Sequence, residues 1–307
     1  MRFGFALPQV GSVAGPDAVV TVAKRAEDLG YDTLWVLDRI LWPVSPRAPY
    51  PLGDGSLPMQ YKKVLDPVET LTFAAAHTSR IGLGTGVLNL PWYNPVLLAR
   101  RLTTLDVLSR GRLRVGFGIG WSPDEYEAAG VPWEERGKRA DESIKVLKRI
   151  WTTDPVEFQG KFYRIPKSFI GPKPVQKPHP PIYMAAFTPS AVKRAATEAD
   201  GWFPVGIPLS GLGGMFDGIK DMARAAGRDP SALGLIIAAG VEIHKTPTQK
   251  DRVDFTGTRE QIAGDFATAR KLGVAEIVIY AQFLPEGETA KDLVARMEDI
   301  WSIARQG

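Results

Sequence analysis

The chain has 307 residues, 44% of them hydrophobic and 23% charged, with 38 Lys and Arg against 34 Asp and Glu for a net charge of +4. This composition supports a sizeable core and excludes wholesale disorder, and the mild basic excess suits an anionic small molecule better than nucleic acid, because no dense Lys/Arg block is present. No cysteine occurs, which excludes disulfides, thiol catalysis and thiolate metal sites.

In chain order, "RFGFALP" is a short β-rich run ending at a proline. The opening "MRFGFALPQV" lacks the long apolar run of a signal peptide, and no run of about 18 apolar residues occurs, so the expectation is a cytoplasmic protein with no membrane segment. "PDAVVTVAKRAEDLG" spaces its apolar residues at the helical period, with Pro16 at a start and Gly30 at a stop. "TLWVLD" predicts the second strand, "DPVETLTFAAAHT" a helix, "RIGLGTGVL" the third strand, "NPVLLARRLTTLDVLS" a long helix and "RLRVGFGIG" the fourth strand. The strand-like runs "PIYMAA", "GWFPVGI", "LGLIIAAG" and "EIVIYAQF" follow, with helix signals in "PSAVKRAATEA", "TREQIAGDFATARKLG" and "AKDLVARMEDIWSIAR".

These make about eight strands, apolar and β-branched or aromatic, as strands buried on both faces are. Strict alternation demands parallel pairing through right-handed crossovers. The predicted fold is therefore α/β, a (β/α)8 TIM barrel with insertions after strands two and four. A doubly wound sheet is the competitor, and chain length and strand count favour the barrel. Residues 40–65, rich in proline and glycine, follow strand two and would lie over the C-terminal mouth as a lid. Residues 121–180 add the short helix "SPDEYEAAG", the long helix "ERGKRADESIKVLKRIWT", the hairpin "VEFQGKFYRIP" and a proline-rich lead into strand five. Neither insertion can carry its own core, so residues 1–307 read as one domain.

Gly82, Gly84 and Gly86 form G-x-G-x-G, and "VLNLPWY" separates them from the helix at Asn94. A dinucleotide loop needs G-x-G-x-x-G opening straight into a helix, so a close-packed or bulged strand is the better reading. Gly116, Gly118 and Gly120 repeat the pattern on strand four. Two adjacent strands ending in glycine suggest a planar ligand lying close to backbone. Asp38 and Arg39 end strand two, where a barrel keeps catalytic and binding groups; a surface ion pair is the alternative. In "AAFTPSAVKRAA", Thr188 suits an N-cap and Pro189 the first helical position. The segment is either a well-capped helix or an anion site formed by the backbone N–H groups of Ala186, Phe187 and Ser190. His77, His179 and His244 lack metal-ligand spacing, and no G-x-S-x-G nucleophile motif is present.

The series "YDTLWVLD", "DGSLP", "DPVETLTFAAAHTSRIGLGTGVLNLPWYNPVLLARRLTTLDVLSRGRLRVGFGIGW", "DEYEAAGVPWEERGKRADESIKVLKRIW", "PKPVQKPHPPIYMAA" and "DGWFP" spans roughly residues 1–205. In this order the pieces resemble the luciferase-like monooxygenase superfamily, most closely its bacterial oxidoreductase branch using the deazaflavin coenzyme F420. The C-terminal third matches only in general character. The resemblance implies a TIM barrel without bound metal. It also implies a non-proline cis peptide at the end of strand three, by position Gly86–Val87 after Thr85, backing the central ring of a flavin or deazaflavin. Asp38 would lie near the ring edge. Gly120 to Glu125, with Asp124 among them, would lie near the ribityl chain or ring, and Ala185, Ala186, Phe187, Thr188 and Ser190 at the phosphate. Trp42, Trp92, Tyr93 and Trp121 would wall the substrate. Asp38, Arg39 and Trp121 are the catalytic candidates, with Arg39 orienting an anionic substrate or stabilising developing negative charge.

Three departures from the family pattern matter. Arg39 stands where many deazaflavin enzymes have histidine after the aspartate. Trp121 replaces the glutamate of the sugar-phosphate dehydrogenases, which argues against sugar-phosphate oxidation. Ala185-Ala186 replaces a common Gly-Gly pair. The expected activity is hydride transfer between coenzyme F420 and a small organic substrate. The alternatives are an FMN-dependent monooxygenase using oxygen and a non-catalytic flavin- or deazaflavin-binding barrel. Relatives are often dimers, so a homodimer is the expected assembly, with a small molecule as the other partner and neither nucleic acid nor membrane.

Overall fold

The computed structural model describes residues 1–248 and 252–305. The chain runs β1 (Arg2–Ala6), α1 (Pro16–Leu29), β2 (Thr33–Val36), α2 (Pro67–His77), β3 (Gly82–Asn89), α3 (Pro95–Leu108) and β4 (Leu113–Gly118). It continues with α4 (Pro123–Ala128), α5 (Arg136–Thr152), the antiparallel hairpin β5 (Val156–Gln159) and β6 (Arg164–Ser168), β7 (Ile182–Met184), α6 (Pro189–Glu198), β8 (Gly201–Trp202) and α7 (Leu209–Ala225). The last elements are β9 (Gly234–Ala239), a small ladder of β10 (Glu242–Ile243) with β11 (Thr256–Gly257), α8 (Arg259–Lys271), β12 (Glu276–Ile279) and α9 (Ala290–Ala304).

Eight of these strands close a parallel barrel in the order β1-β12-β9-β8-β7-β4-β3-β2, the (β/α)8 architecture that the alternation predicts. Local chemistry starts and stops the helices where the sequence implies. Asp66 caps α2 through the Val68 N–H, Asn94 caps α3 through Val96 and Leu97, and Gly30 ends α1 in the left-handed region at φ +94°. The long helix α5 packs between α3 and α6, completing the ring rather than decorating it. Only the remainder of 121–180 is insertion. Three elements lie outside the sequence reading. Helix α7 hides behind Gly211, Gly213, Gly214 and Gly218, which weaken its helical signal. The two-residue strands β10 and β11 are too short to show a period. No helix among the described residues is long and apolar enough to cross a membrane.

The main core lies between the strands and the helical ring, and a second cluster of Trp35, Tyr183, Phe203, Ile236 and Val278 fills the barrel interior. Trp35 needs glycine on both neighbouring strands. A Cβ on Gly4 would lie 2.5 Å from its Nε1, and one on Gly84 would overlap its ring. The N-terminal end of the barrel is plugged by the buried Glu276. Its carboxylate accepts from the Thr33 hydroxyl, from Trp35 Nε1 at 2.9 Å, from Arg2 Nε at 3.1 Å and from an Arg114 Nη at 2.8 Å. Removing it would leave two cationic groups and an indole N–H facing each other. Glu276→Ala is expected to cost about 3 kcal/mol in urea unfolding. Arg2→Ala, whose side chain is 41% exposed, is expected to cost less than about 1 kcal/mol. Equal losses in the two variants would refute the plug.

Candidate active site

The site forms at the C-terminal ends of the strands, beginning with an irregularity in β3. The β3–β4 register pairs Thr85 with Val115 and then Leu88 with Phe117, so β3 bulges between Thr85 and Leu88. The Gly86–Val87 peptide inside this bulge is cis, as the resemblance implies. Thr85 is fully buried and its hydroxyl replaces the interrupted ladder, donating to Gly116 O at 2.9 Å and accepting from Gly116 N at 2.9 Å. The Thr85 side chain is thus engaged in the fold.

The bulge also explains the glycines of β4, and the explanation corrects their sequence reading. A Cβ on Gly116 would collide with the Thr85 carbonyl oxygen, and one on Gly118 would lie 2.6 Å from Val87 Cγ2. Both glycines make room for the neighbouring strand, not for a ligand. Gly120 has φ +68° and turns the chain beside Asn89 and Trp92. The Gly86 carbonyl accepts from the Tyr280 hydroxyl at 2.9 Å.

Asp38 stands beside the bulge and is buried. Its carboxylate accepts from Asn89 N at 2.8 Å and from the Tyr93 hydroxyl at 3.0 Å. Burial pushes its carboxyl up to about 7; these two hydrogen bonds oppose the rise, while negative Asp66 and Glu125 add to it. Burial and the neighbouring Asp38 push the Tyr93 phenol well above its ordinary value, so it stays a donor. The hydroxyl of Tyr93 is therefore committed to Asp38.

Arg39 does not face solvent. Its guanidinium lies 3.1 Å from Glu125, with the two side chains 6% and 1% exposed. The guanidinium carbon sits 5.1 Å from the Tyr61 ring centre and 4.8 Å from that of Trp121. Glu125 also accepts from Ile40 N at 3.0 Å. Burial raises its carboxyl, and Arg39 with the Ile40 and Leu41 amides pulls the other way. Asp124 is held by Arg47, whose Nε donates at 2.9 Å, and that contact lowers its carboxyl. Asp124 and Glu125, two of the three carboxylates assigned to coenzyme binding, thus hold arginines.

Residues of the 40–65 segment, the lid of the sequence reading, pack against this region. Tyr50 packs edge-on against Trp121 at 5.5 Å and bonds the Tyr61 hydroxyl at 3.2 Å. Tyr61 meets Phe283 at 5.5 Å, and Trp42 packs into the same cluster beneath Lys62. Gln9 joins the two ends of the lid. Its Nε2 donates to Leu37 O and Leu65 O, each at 2.7 Å, and its Oε1 accepts from Leu37 N at 2.7 Å. The predicted aromatic wall separates into parts: Trp42 and Trp121 belong to the lid cluster, Trp92 turns toward Tyr126 at 6.1 Å, and Tyr93 serves Asp38.

At the opposite rim, Thr188 caps α6 by accepting from Ala191 N, with Pro189 at the first position. Phe187, Thr188 and Ser190 are exposed, Ala186 is buried and Ala185 half-buried. The first-turn amides of such a helix have no carbonyl partner within it. Sequence reasoning missed Gln9, Tyr50, Tyr61, Asn89, Tyr280 and Phe283. Tyr50 and Tyr61 lie in the predicted lid, where any aromatic residue was a candidate for the mouth. Gln9 and Tyr280 carry no local signal.

The luciferase-like monooxygenase family matches residues 1–300. An uncharacterised protein of Mycobacterium tuberculosis is 35% identical over 245 residues, covering 79% of this chain and 85% of that protein. The F420-dependent glucose-6-phosphate dehydrogenase of Amycolatopsis mediterranei is 33% identical over 222 residues, covering 69% of this chain and 61% of the relative. The FMNH(2)-dependent dimethylsulfone monooxygenase of Pseudomonas putida is 36% identical over 155 residues, covering 50% of this chain and 42% of the relative. Among solved structures, the monooxygenase RslO1 of Streptomyces bottropensis superposes with a TM-score of 0.80 at 23% identity, covering 98% of both chains, which bears on the fold alone. With the barrel, the bulge in its third strand and a family match over nearly the whole length, this chain belongs to the luciferase-like monooxygenase family.

Proposed function

We propose that the barrel mouth seats the ring of coenzyme F420 against the Gly86–Val87 bulge and carries hydride transfer between that coenzyme and a small organic substrate. The observation that supports this most is the bulge, a backbone surface whose carbonyl is fixed by Tyr280 and whose flank holds the buried Asp38. The residues present fit such a group. The capped N-terminus of α6, with exposed Thr188 and Ser190, suits its phosphate, and the buried Trp92 Nε1 has no partner within the protein. When bound, F420 supplies hydride chemistry at a ring carbon. The chain's own residues position and screen. Asp38 holds or releases a proton at its carboxylate, Tyr93 fixes that carboxylate in place, and the lid excludes water. The F420-dependent relative aligns with 69% of this chain at 33% identity and the FMN-dependent one with 50% at 36%, and the longer match is what supports the deazaflavin.

Titration of the purified protein with F420 and FMN tests this reading. F420 is expected to bind in the micromolar range, and reduced FMN with candidate substrates is expected to give no substrate-dependent oxygen uptake. Absence of F420 binding would sink the proposal. Oxygen uptake with reduced FMN would establish the monooxygenase alternative in its place.

A further inference from the structure

Arg39 is where the sequence suggests an anionic substrate, yet the structure has already supplied its anion. Glu125 neutralises the guanidinium at 3.1 Å in a pair almost wholly removed from solvent. Two donors remain unused, since Arg39 Nε and one Nη are buried without a hydrogen-bond partner. The indole N–H of Trp42, in the neighbouring ring cluster, is likewise unpartnered. A buried donor left unmade is costly, so these groups are arranged for something absent from the chain itself. The surroundings are rings. Tyr61 and Trp121 bracket the guanidinium, Tyr50 and Phe283 extend the wall, and Tyr280 carries it to the Gly86 carbonyl.

We propose that the ring-walled region around Arg39 takes an uncharged, mainly apolar molecule bearing an acceptor oxygen such as a carbonyl, read by the spare N–H groups of Arg39. This rests on the coenzyme reading above, because it assigns the substrate of the same site. A neutral acceptor satisfies the donors and adds no charge. A carboxylate or phosphate would compete with Glu125 for one cation and bring a further negative charge into a buried site that already contains Asp38 and Glu125. Glu125 acts here as a specificity-determining residue through Arg39, by cancelling the charge that would otherwise draw anions.

Acetophenone and benzoate are nearly isosteric, one a neutral ketone and the other an anion. Their affinities are to be measured by calorimetry on the protein with and without coenzyme. Wild type is expected to favour acetophenone by about tenfold or more. Glu125→Gln keeps an acceptor for Ile40 N and frees the Arg39 charge, so the ratio is expected to shift toward benzoate by about tenfold. The double variant R39M/E125M leaves no lone buried charge. It is expected to weaken acetophenone by about tenfold, and its thermal midpoint, read alongside, separates loss of the donors from loss of the fold. Benzoate preferred by wild type, a ratio unmoved in Glu125→Gln, or no acetophenone binding at millimolar concentration each overturns the proposal. Failure of the coenzyme reading is seen separately, as absent F420 and FMN binding, while the probe ratio on the coenzyme-free protein still decides this one.

Discussion

Gly116→Ala is expected to destabilise the barrel by about 3 kcal/mol or more and to weaken coenzyme binding with it. The added methyl would occupy the position of the Thr85 carbonyl oxygen, and it would also press on Val87 Cγ1 at 3.2 Å. Neither side can retreat cheaply. The Gly116 N–H and carbonyl are both tied to the Thr85 hydroxyl, so moving one strand breaks bonds on both. The bulge would have to shift or straighten, and the backbone surface proposed to support the ring would shift with it. Gly214→Ala is the control. That glycine is exposed on α7, and a methyl added there would meet nothing within 4 Å, so alanine is expected to stabilise by up to about 1 kcal/mol. Urea unfolding of the two variants measures both. A Gly116→Ala protein within about 0.5 kcal/mol of wild type would show that the strands can part freely.

Asp38→Asn is expected to lower kcat/KM by about two orders of magnitude and to remove an ionisation near neutrality from its pH profile. Burial holds the carboxyl at about 7, so at neutral pH it exists in both forms and can exchange a proton without a large change in pH. Asparagine cannot exchange one, and because Asn89 N and the Tyr93 hydroxyl donate to different carboxylate oxygens, one of them would face the amide NH2 instead. Stability should respond as well, and the sign follows from linkage. The folded value exceeds the unfolded one, so the folded state binds more protons between about pH 4 and about pH 7. The contribution of Asp38 is therefore fully present below about pH 4 and is lost as pH rises through about 7, a swing of about 4 kcal/mol. In the asparagine variant that part of the slope should vanish. An unchanged inflection in the activity profile would assign the proton to another group.

The architecture was legible because the period of the hydrophobic pattern switches cleanly between strand and helix, and because prolines and caps mark the helix starts. The exception is α7, where four glycines dilute a helix whose buried Leu212, Phe216 and Ile219 keep the right spacing. The position of the bulge was legible through the family resemblance, not through spacing. The glycines of β4 were legible as unusual and misread in purpose, since only the three-dimensional register shows Thr85 and Val87 filling their space. The partner of Arg39 was not legible. Glu125 lies 86 residues away in the sequence, and nothing local says that the two meet. Tyr61 and Tyr280 likewise reach the site only through closure of the barrel.

The staple made by Gln9 has a consequence for how this protein can diversify. Gln9 fastens the chain on either side of the segment, at Leu37 just before it and at Leu65 at its end. Its closure therefore does not depend on what lies between, and the entropy of closing a longer loop grows only slowly with length. The segment can therefore vary in length between Arg47 and Tyr61, provided that Ile40 and Arg47 keep their bonds to Glu125 and Asp124. An inserted or replaced segment would redraw the range of accepted molecules while the strands beneath it, with their bulge and their capped helix, stayed as they are.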